Sequence, residues 1–143
     1  LRIRDRIPAY RLSGAVSLPG LGPVGAIWRS ALPEAMTAAA GRGLVVDLRS
    51  STYAAMWHPT EDLAARTVTV RVLQQLPDGR RQVVSHFNKA TKGRLVRSLL
   101  VDGSAPRDAP AFAALCQSYG YVAELHPPER GGPWHLDVVV TEV

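Results

Sequence analysis

The sequence predicts a single α+β domain over residues 1–143, with a mixed sheet built from hairpins and short flanking helices. Three observations predict this class: strand-like and helix-like patterns alternate, an Asp-Gly turn joins two strand patterns, and the chain closes on another hairpin pattern. A chain of this length, 46% hydrophobic, buries about 70% of its unfolded surface, so its core needs neither a disulfide nor a metal.

The first third of the chain predicts one long helix between irregular segments and a strand. Proline and glycine interrupt residues 4–23, which we expect to be loop or extended chain. Residues 24–41 place small and apolar side chains at helical spacing, and Pro33 predicts a kink or a restart within them. Residues 43–50 form an apolar run typical of a buried strand, and the following serines and threonine predict a short helix.

The rest of the chain predicts two hairpins separated by two helices. Residues 66–76 alternate apolar and polar side chains, which indicates a strand, and the Asp-Gly turn leads to a partner strand over 81–87. The later elements are a helix over 88–103 ended by Gly103, a helix over 110–120, and a hairpin over 121–143 with a proline-rich loop.

The net charge, the cysteine content and the lack of long apolar runs indicate which partners and which cellular compartment to expect. The net charge of +5 favours anionic partners such as nucleic acid. The single Cys116 cannot pair within the chain, which favours a reducing compartment, and its place on the apolar side of a helix predicts a packed thiol. No apolar run reaches the length of a membrane span, and the N-terminus lacks the apolar core of a signal peptide. We therefore expect a cytoplasmic protein without a membrane partner.

Cations cluster in one acid-free segment. Residues 79–101 contain no Asp or Glu, yet they hold both lysines of the chain and four arginines. Helical spacing places Lys89 and Arg97 on one side of the predicted helix, with either Lys92 or Gly93 between them. These residues form either a solvated face or an anion-binding surface. Because glycine weakens a helix, Gly93 suggests the close approach of a ligand or backbone. With Arg11 included, the candidate anion-binding residues are Arg11, Arg80, Arg81, Lys89, Lys92, Arg94 and Arg97.

A glycine-rich stretch offers a competing hypothesis. Gly20, Gly22 and Gly25 match the G-x-G-x-x-G spacing of dinucleotide-binding turns, and Asp47 follows at a distance suited to binding ribose. Pro23 removes an amide that would face the pyrophosphate, which favours an ordinary loop. We expect no cofactor.

Metal and nucleophile motifs are weak. His126, Glu129 and His135 share the last loop without the helical spacing of a zinc site, so we expect no intrinsic metal. Ser50 and Ser51 follow a strand and open a helix. At this position they serve as helix caps, provide a nucleophile, or, together with Arg49, hold a phosphate or carboxylate.

Four segments, in order, resemble motifs of the bacterial peroxide-stress protein family YaaA. They are the Leu-Arg and Tyr-Arg-Leu positions of residues 1–12, the Leu-Pro and downstream Trp of residues 18–28, the segment 45–59, and the Ser-x-x-x-Lys-x-x-x-Gly-x-x-x-Arg helix of residues 85–97. The resemblance covers nearly the whole chain and is that of the C-terminal portion of the family sequence. The motif positions are Tyr10, Arg11, Asp47, Ser50, Tyr53, Ser85, Lys89, Gly93 and Arg97.

The resemblance implies a cytosolic protein of the hydrogen peroxide stress response that binds double-stranded DNA and limits iron-driven damage. It also implies that an N-terminal segment of the same protein is a partner of this part. The alternative is an enzyme acting on a small anionic substrate in a cleft lined by Tyr, Arg, Ser and Lys side chains, with Lys89, Ser50 and Tyr53 as its catalytic candidates. We favour the DNA-binding protein, and the two hypotheses differ in the size and number of anions bound.

Overall fold

The computed structural model of the chain describes residues 13–83 and 87–141. Within these residues it contains five helices, a mixed five-stranded sheet and a separate two-stranded hairpin, which confirms the predicted α+β class. The candidate residues Tyr10, Arg11 and Ser85 lie outside the described residues.

A small hairpin and a long helix open the described chain. The hairpin turns through glycines and leads directly into the helix, which runs through Pro33 without interruption. The segment predicted as loop or extended chain thus holds two short strands, and the helix neither stops nor restarts at its proline. The elements are β1 (Ser17–Leu18), β2 (Gly22–Pro23) and α1 (Val24–Ala40).

This arrangement does not support the dinucleotide hypothesis. Gly20 and Gly22 belong to a hairpin whose first strand pairs with β2 and not with the five-stranded sheet. Gly25 lies in the first turn of α1. The glycines therefore do not form the turn between a strand of the main sheet and a helix that a dinucleotide-binding loop requires.

The main sheet combines parallel and antiparallel pairs. Its order is β3-β4-β7-β6, and β5 also pairs with β4. The two predicted hairpins, β4–β5 and β6–β7, are present, whereas β3 and β7 run parallel to β4 on its two sides. The strands are β3 (Val45–Asp47), β4 (Thr67–Gln75), β5 (Arg81–Val83), β6 (Val122–His126) and β7 (Trp134–Val140).

Four further helices connect the strands. Two of them are short and lie between β3 and β4, and the two longer ones form the crossover that leads toward β6 and β7. Gly103 ends the first longer helix, as predicted, with a φ of 70° that side chains with a Cβ rarely adopt. The helices are α2 (Ser51–Ala54), α3 (Glu61–Ala65), α4 (Phe87–Asp102) and α5 (Ala109–Ser118).

The core lies between one face of the sheet and helices α4 and α5. The alternating valines of β4, as predicted, point into it together with Leu136 of β7, Leu95 of α4 and Phe112 of α5. Cys116 is fully buried there, and burial raises the pKa of its thiol to about 11. Cys116 is therefore a packed thiol, as its position in the sequence indicates.

Among the residues that the structure describes, no helix combines the length and the apolar character that a membrane span requires.

Two leucines of α4 provide a matched test of this packing. Leu95 is 1% exposed and Leu100 is 77% exposed. We expect Leu95→Ala to lower the free energy of unfolding by about 2–5 kcal/mol, because it leaves a cavity in the core. Leu100→Ala should change it by no more than about 0.5 kcal/mol. Urea unfolding followed by circular dichroism measures both values, and equal losses would contradict the assigned faces of α4.

Candidate anion-binding cleft and basic helix

An ion pair closes the carboxyl end of β3. The Arg49 guanidinium donates from Nε to Oδ1 of Asp47 at 2.9 Å and from Nη2 to Oδ2 at 2.6 Å. The backbone N–H of Arg49 donates to the same Oδ1 at 3.0 Å. The Asp47 side chain is only 6% exposed, so two-point pairing with the guanidinium is what makes its burial tolerable.

The same guanidinium connects β3 to the chain that follows. Its Nη1 donates to the carbonyl oxygen of Tyr53 at 3.1 Å, and its Nη2 donates to that of Trp57 at 2.9 Å. The guanidinium carbon also lies 4.9 Å from the centre of the Trp57 ring, a cation–π geometry. These contacts within the fold occupy the guanidinium of Arg49. Arg49 is therefore not free to hold a phosphate or carboxylate, the role that its position beside Ser50 suggests.

Lys92 reaches the same place from α4. Its Nζ donates to the carbonyl oxygens of Leu48 at 3.1 Å and Arg49 at 3.4 Å, the two residues that follow β3. An ammonium group has three donors, so one N–H of Lys92 remains for another acceptor.

The local environment shifts the pKa values of both charged groups. Burial lowers the pKa of Lys92, and the nearby Asp47 opposes this shift without cancelling it. Burial by itself raises the pKa of Asp47, but hydrogen bonds from the Arg49 side chain and backbone outweigh it and leave this pKa below its ordinary value. Asp47 thus stays ionised at neutral pH, while Lys92 releases its proton more readily than an ordinary lysine.

Lys92 lines an open cleft of about 520 Å³ between the end of β3, the middle of β4 and the start of α4. We call it the β3 cleft. Asn88, one helical turn before Lys92, contributes a buried Oδ1 that has no hydrogen-bond partner in the described part of the chain. Buried polar atoms are nearly always paired, so this oxygen is an exception among the described residues. The polar lining residues are Arg49, Ser50, Ser51, Thr69, Arg71, Asn88 and Lys92.

The predicted catalytic candidates do not all meet in this cleft. Ser50 lines it and occupies the N-cap position of α2, although its side chain makes no capping hydrogen bond. Tyr53 is 41% exposed and lies outside the lining, as does Lys89. The lysine next to Ser50 is Lys92, which the family motif does not single out.

Lys89, Arg94 and Arg97 share the exposed side of α4, and we call them the α4 basic face. None of the three has a hydrogen-bond or ion-pair partner among the described residues. A Cβ added at Gly93, on the same side, would meet no atom within 4 Å. The expected close approach of a ligand or backbone to Gly93 is therefore not seen in the described residues.

The other predicted anion-binding arginines have carboxylate partners. Arg80 pairs with Asp78 of its own turn at 2.7 Å. Arg81 makes a two-point contact with Glu124 of β6, at 2.6 and 2.9 Å. Residues 79–101 contain no acidic side chain, but Asp78, directly before them, and Glu124 of β6 supply carboxylates to these two arginines.

A further charged cluster joins β4, β6 and β7 through Arg71, which also lines the β3 cleft, and this cluster was not predicted. Arg71 of β4 donates twice to Asp137 of β7, at 2.8 and 2.7 Å, and Nε2 of His126 lies 3.3 Å from Asp137 Oδ2. Burial raises the pKa of Asp137, and Arg71 and His126 outweigh it, so this pKa lies below its ordinary value. The alternation of β4 exposes Arg71, but only the parallel register of β4 and β7 places Asp137 beside it.

Metal-binding side chains do not cluster in the described residues, where no group of three or more His, Cys, Asp or Glu side chains could hold an ion.

Replacing the buried carboxylate at the end of β3 tests its structural role. Asp47→Asn leaves the half-buried guanidinium of Arg49 without a counter-charge, so we expect a loss of about 3 kcal/mol in the free energy of unfolding at pH 7. Because the folded pKa of Asp47 is depressed, its contribution is present above its unfolded pKa and disappears as pH falls through the folded pKa. The difference between wild type and variant in urea unfolding should therefore shrink at acidic pH.

Asp78→Asn is the matched control, because it removes the same charge from an exposed ion pair. It should change the stability little at either pH. An Asp47→Asn difference that is small at pH 7, or constant down to acidic pH, would contradict the assigned role.

Comparisons with known proteins bear on the whole chain. The sequence profile of the family described as "Peroxide stress protein YaaA" matches residues 1–122. A UPF0246 protein of Streptomyces coelicolor is 54% identical over 144 residues, which cover 100% of this chain and 54% of that protein. A UPF0246 protein of Corynebacterium glutamicum is 39% identical over 130 residues, covering 88% of this chain and 50% of that protein. The chain thus spans about half the length of these relatives, and it belongs to the peroxide-stress protein family YaaA.

Proposed function

We propose that this member of the peroxide-stress family is a cytoplasmic protein that binds double-stranded DNA through the α4 basic face. The observation that carries the proposal is the grouping, on one side of α4, of three exposed cations that no carboxylate among the described residues neutralises. Arg49, Arg71, Arg80 and Arg81 are held by carboxylates, whereas Lys89, Arg94 and Arg97 point outward without a partner among the described residues. Cations that are not neutralised within the fold are the ones that can neutralise phosphates.

The geometry of α4 suits a phosphate backbone. Lys89 and Arg97 are eight residues apart, which corresponds to about 12 Å along a helix. Arg94 lies between them on the exposed side. Lysine and arginine contacts to phosphates position a protein on DNA without reading bases, so we expect binding with little sequence preference.

The proposal extends to the limitation of iron-driven damage. Duplex DNA carries a condensed layer of cations, and a protein that neutralises phosphates displaces them. Ferrous ions in that layer would be displaced in the same way, which would keep peroxide chemistry away from the backbone. This role needs no iron site in the protein itself.

A DNA titration at several salt concentrations tests the proposal in the full-length protein. The logarithm of the affinity should fall linearly with the logarithm of salt concentration, with about 0.9 in slope for each phosphate neutralised. We expect Lys89→Ala/Arg97→Ala to weaken binding and to reduce that slope by about 1.8, because two contacts are lost. Fluorescence anisotropy of a labelled duplex measures both quantities.

Arg42→Ala/Arg107→Ala is the matched control, since it removes the same charge from two exposed arginines outside α4. It should leave the slope nearly unchanged. If both double variants lose affinity equally, the net charge of the protein is responsible and the α4 basic face is not the binding surface. An unchanged slope in the α4 variant would reject the proposal outright.

A second candidate function is an enzyme acting on a small anionic substrate in the β3 cleft. The observation that favours it is Lys92, which lines the cleft, has a lowered pKa and makes two of the three hydrogen bonds that an ammonium group can donate. A lysine that deprotonates easily can act as a base or nucleophile, and Ser50 lies in the same lining. In this alternative Lys92 takes the place that the sequence suggests for Lys89.

Competitive acylation of the amines tests the state of Lys92. Mass spectrometry of the labelled peptides gives its extent of modification against pH, and we expect a midpoint below 10.5, the ordinary value for lysine. Asp47→Asn removes the charge that opposes the shift, so it should lower the midpoint further, provided that the variant folds. Phosphate or a small carboxylate bound in the cleft should protect Lys92 from the reagent and leave Lys89 reactive. Equal protection of both lysines would contradict a site in the cleft.

A further inference from the structure

We infer that the β3 cleft is a binding site for a singly charged carboxylate joined to a small apolar group, and that Arg71 and Lys92 hold the carboxylate between them. The inference rests on the second candidate function, because it names the class of anion that occupies the same cleft. Arg71 approaches the cleft from β4 and Lys92 from α4, so the two cations come from different elements.

The described lining of the β3 cleft carries one uncompensated positive charge. It contains three cations, Arg49, Arg71 and Lys92, and no Asp or Glu. Two of these cations are neutralised by carboxylates outside the lining: Arg49 is paired with Asp47 and Arg71 with Asp137. Lys92 donates only to neutral carbonyl oxygens among the described residues, so its charge remains. An anion with one charge is therefore matched, whereas a second charge would stay uncompensated, which costs free energy.

The guanidinium of Arg71 has a free edge that fits two oxygen atoms. Asp137 accepts from Nε at 2.8 Å and from Nη2 at 2.7 Å, which occupies one edge of the group. A guanidinium has five N–H donors, so three of them remain in the described part of the chain, two on Nη1 and one on Nη2. The free N–H groups of Nη1 and Nη2 are parallel, and such a pair binds the two oxygens of a carboxylate side by side. The Arg71 side chain is 57% exposed, which leaves this edge accessible.

Lys92 supplies a further donor from α4. Its Nζ makes two hydrogen bonds among the described residues, and an ammonium group can donate three. Either oxygen of a carboxylate bound to Arg71 can accept the third. Hydroxyl groups complete the polar lining and add donors without adding charge. The residues that carry them are Ser50, Ser51 and Thr69.

Apolar side chains in the same lining indicate what the carboxylate is attached to. Val83 lines the cleft and is 61% exposed, so it offers an apolar surface to a ligand. The cleft volume of about 520 Å³ falls within the range of about 300–1,000 Å³ that is usual for small-molecule sites. A small aliphatic or aromatic group on the ligand would therefore contact protein on one side while its carboxylate faces the cations. The apolar lining residues are Ala54, Val70 and Val83.

Protection of Lys92 from acylation in the full-length protein ranks three probes that share a phenyl ring. Benzoate carries one negative charge, phenyl phosphate carries nearly two at neutral pH, and benzamide carries none. We expect benzoate to protect Lys92 at about tenfold lower concentration than phenyl phosphate, because the second charge of the phosphate has no counter-charge. Benzamide should not protect Lys92. Lys89 should stay reactive with every probe, because it lies outside the lining.

Arg71→Lys separates the free guanidinium edge from its charge. Lysine keeps the positive charge but has no pair of parallel N–H groups, so protection should need about tenfold more benzoate. Arg80→Lys is the matched control, since Arg80 is also bound to a carboxylate, that of Asp78, and lies outside the lining. It should leave the protection by benzoate unchanged.

Asp137→Asn tests the charge of the site. It removes the carboxylate that neutralises Arg71, so the cleft gains a second uncompensated positive charge. Phenyl phosphate should then protect Lys92 at least as well as benzoate. Circular dichroism shows whether this variant folds, and Arg71→Lys decides the matter where it does not. A folded variant that keeps the wild-type order of the two probes would contradict the inference.

The other outcomes separate the inference from the function on which it rests. Phenyl phosphate that protects the wild type as well as benzoate would overturn the carboxylate site and leave an enzyme acting on a small anion in place. Protection by benzamide, or equal effects of Arg71→Lys and Arg80→Lys, would also overturn it. No protection by either anion would reject the inference together with the second candidate function.

Discussion

The ion pair between Asp47 and Arg49 is the interaction on which the candidate cleft depends. Strand β3 has only three residues, so few ladder hydrogen bonds hold it in the sheet. Arg49 compensates by joining the buried Asp47 carboxylate to the carbonyl oxygens of Tyr53 and Trp57, which places α2 against the strand end. Lys92 completes the arrangement from α4 by donating to the two carbonyls that follow β3. The β3 cleft opens where these groups meet.

The described residues contain two kinds of cation, those bound to carboxylates and those of the α4 basic face, which have no such partner there. The guanidinium groups of Arg49 and Arg71 are bound to the largely buried carboxylates of Asp47 and Asp137. Removing either guanidinium would leave a buried carboxylate without a counter-charge, which destabilises the fold. Those residues are consequently parts of the framework. The α4 basic face serves no such role, because its side chains point away from the core that Leu95 anchors. A single helix thereby supplies core packing, the Lys92 contact to β3 and a free cationic surface on different sides.

Local patterns predicted most elements, and non-local pairing decided the rest. The period-two alternation of β4, the Asp-Gly turn and the stop at Gly103 all appear where the sequence indicates them, because each depends on neighbours in the chain. The parallel pairing of β4 with β7 was not predicted, because its partners, such as Arg71 and Asp137, are 66 residues apart. Which lysine meets the end of β3 was not predicted for a related reason: helical spacing places Lys89 and Lys92 near one side, and only the hydrogen bonds of Lys92 to the carbonyls of Leu48 and Arg49 distinguish them.

The sequence by itself determined the fold class, the order of nearly all elements and the family to which the chain belongs, since these are carried by composition, periodicity and motif order. Only the tertiary structure decided which cations are free, because Arg81 finds Glu124 across 43 residues of chain while Arg97 finds no carboxylate among the described residues. It also decided that most of α1 is exposed in the described part of the protein, where Val24 is its only buried residue. The physical reason is the same in both cases: local sequence sets the conformation of a segment, and its neutralisation and burial come from segments far away in the chain.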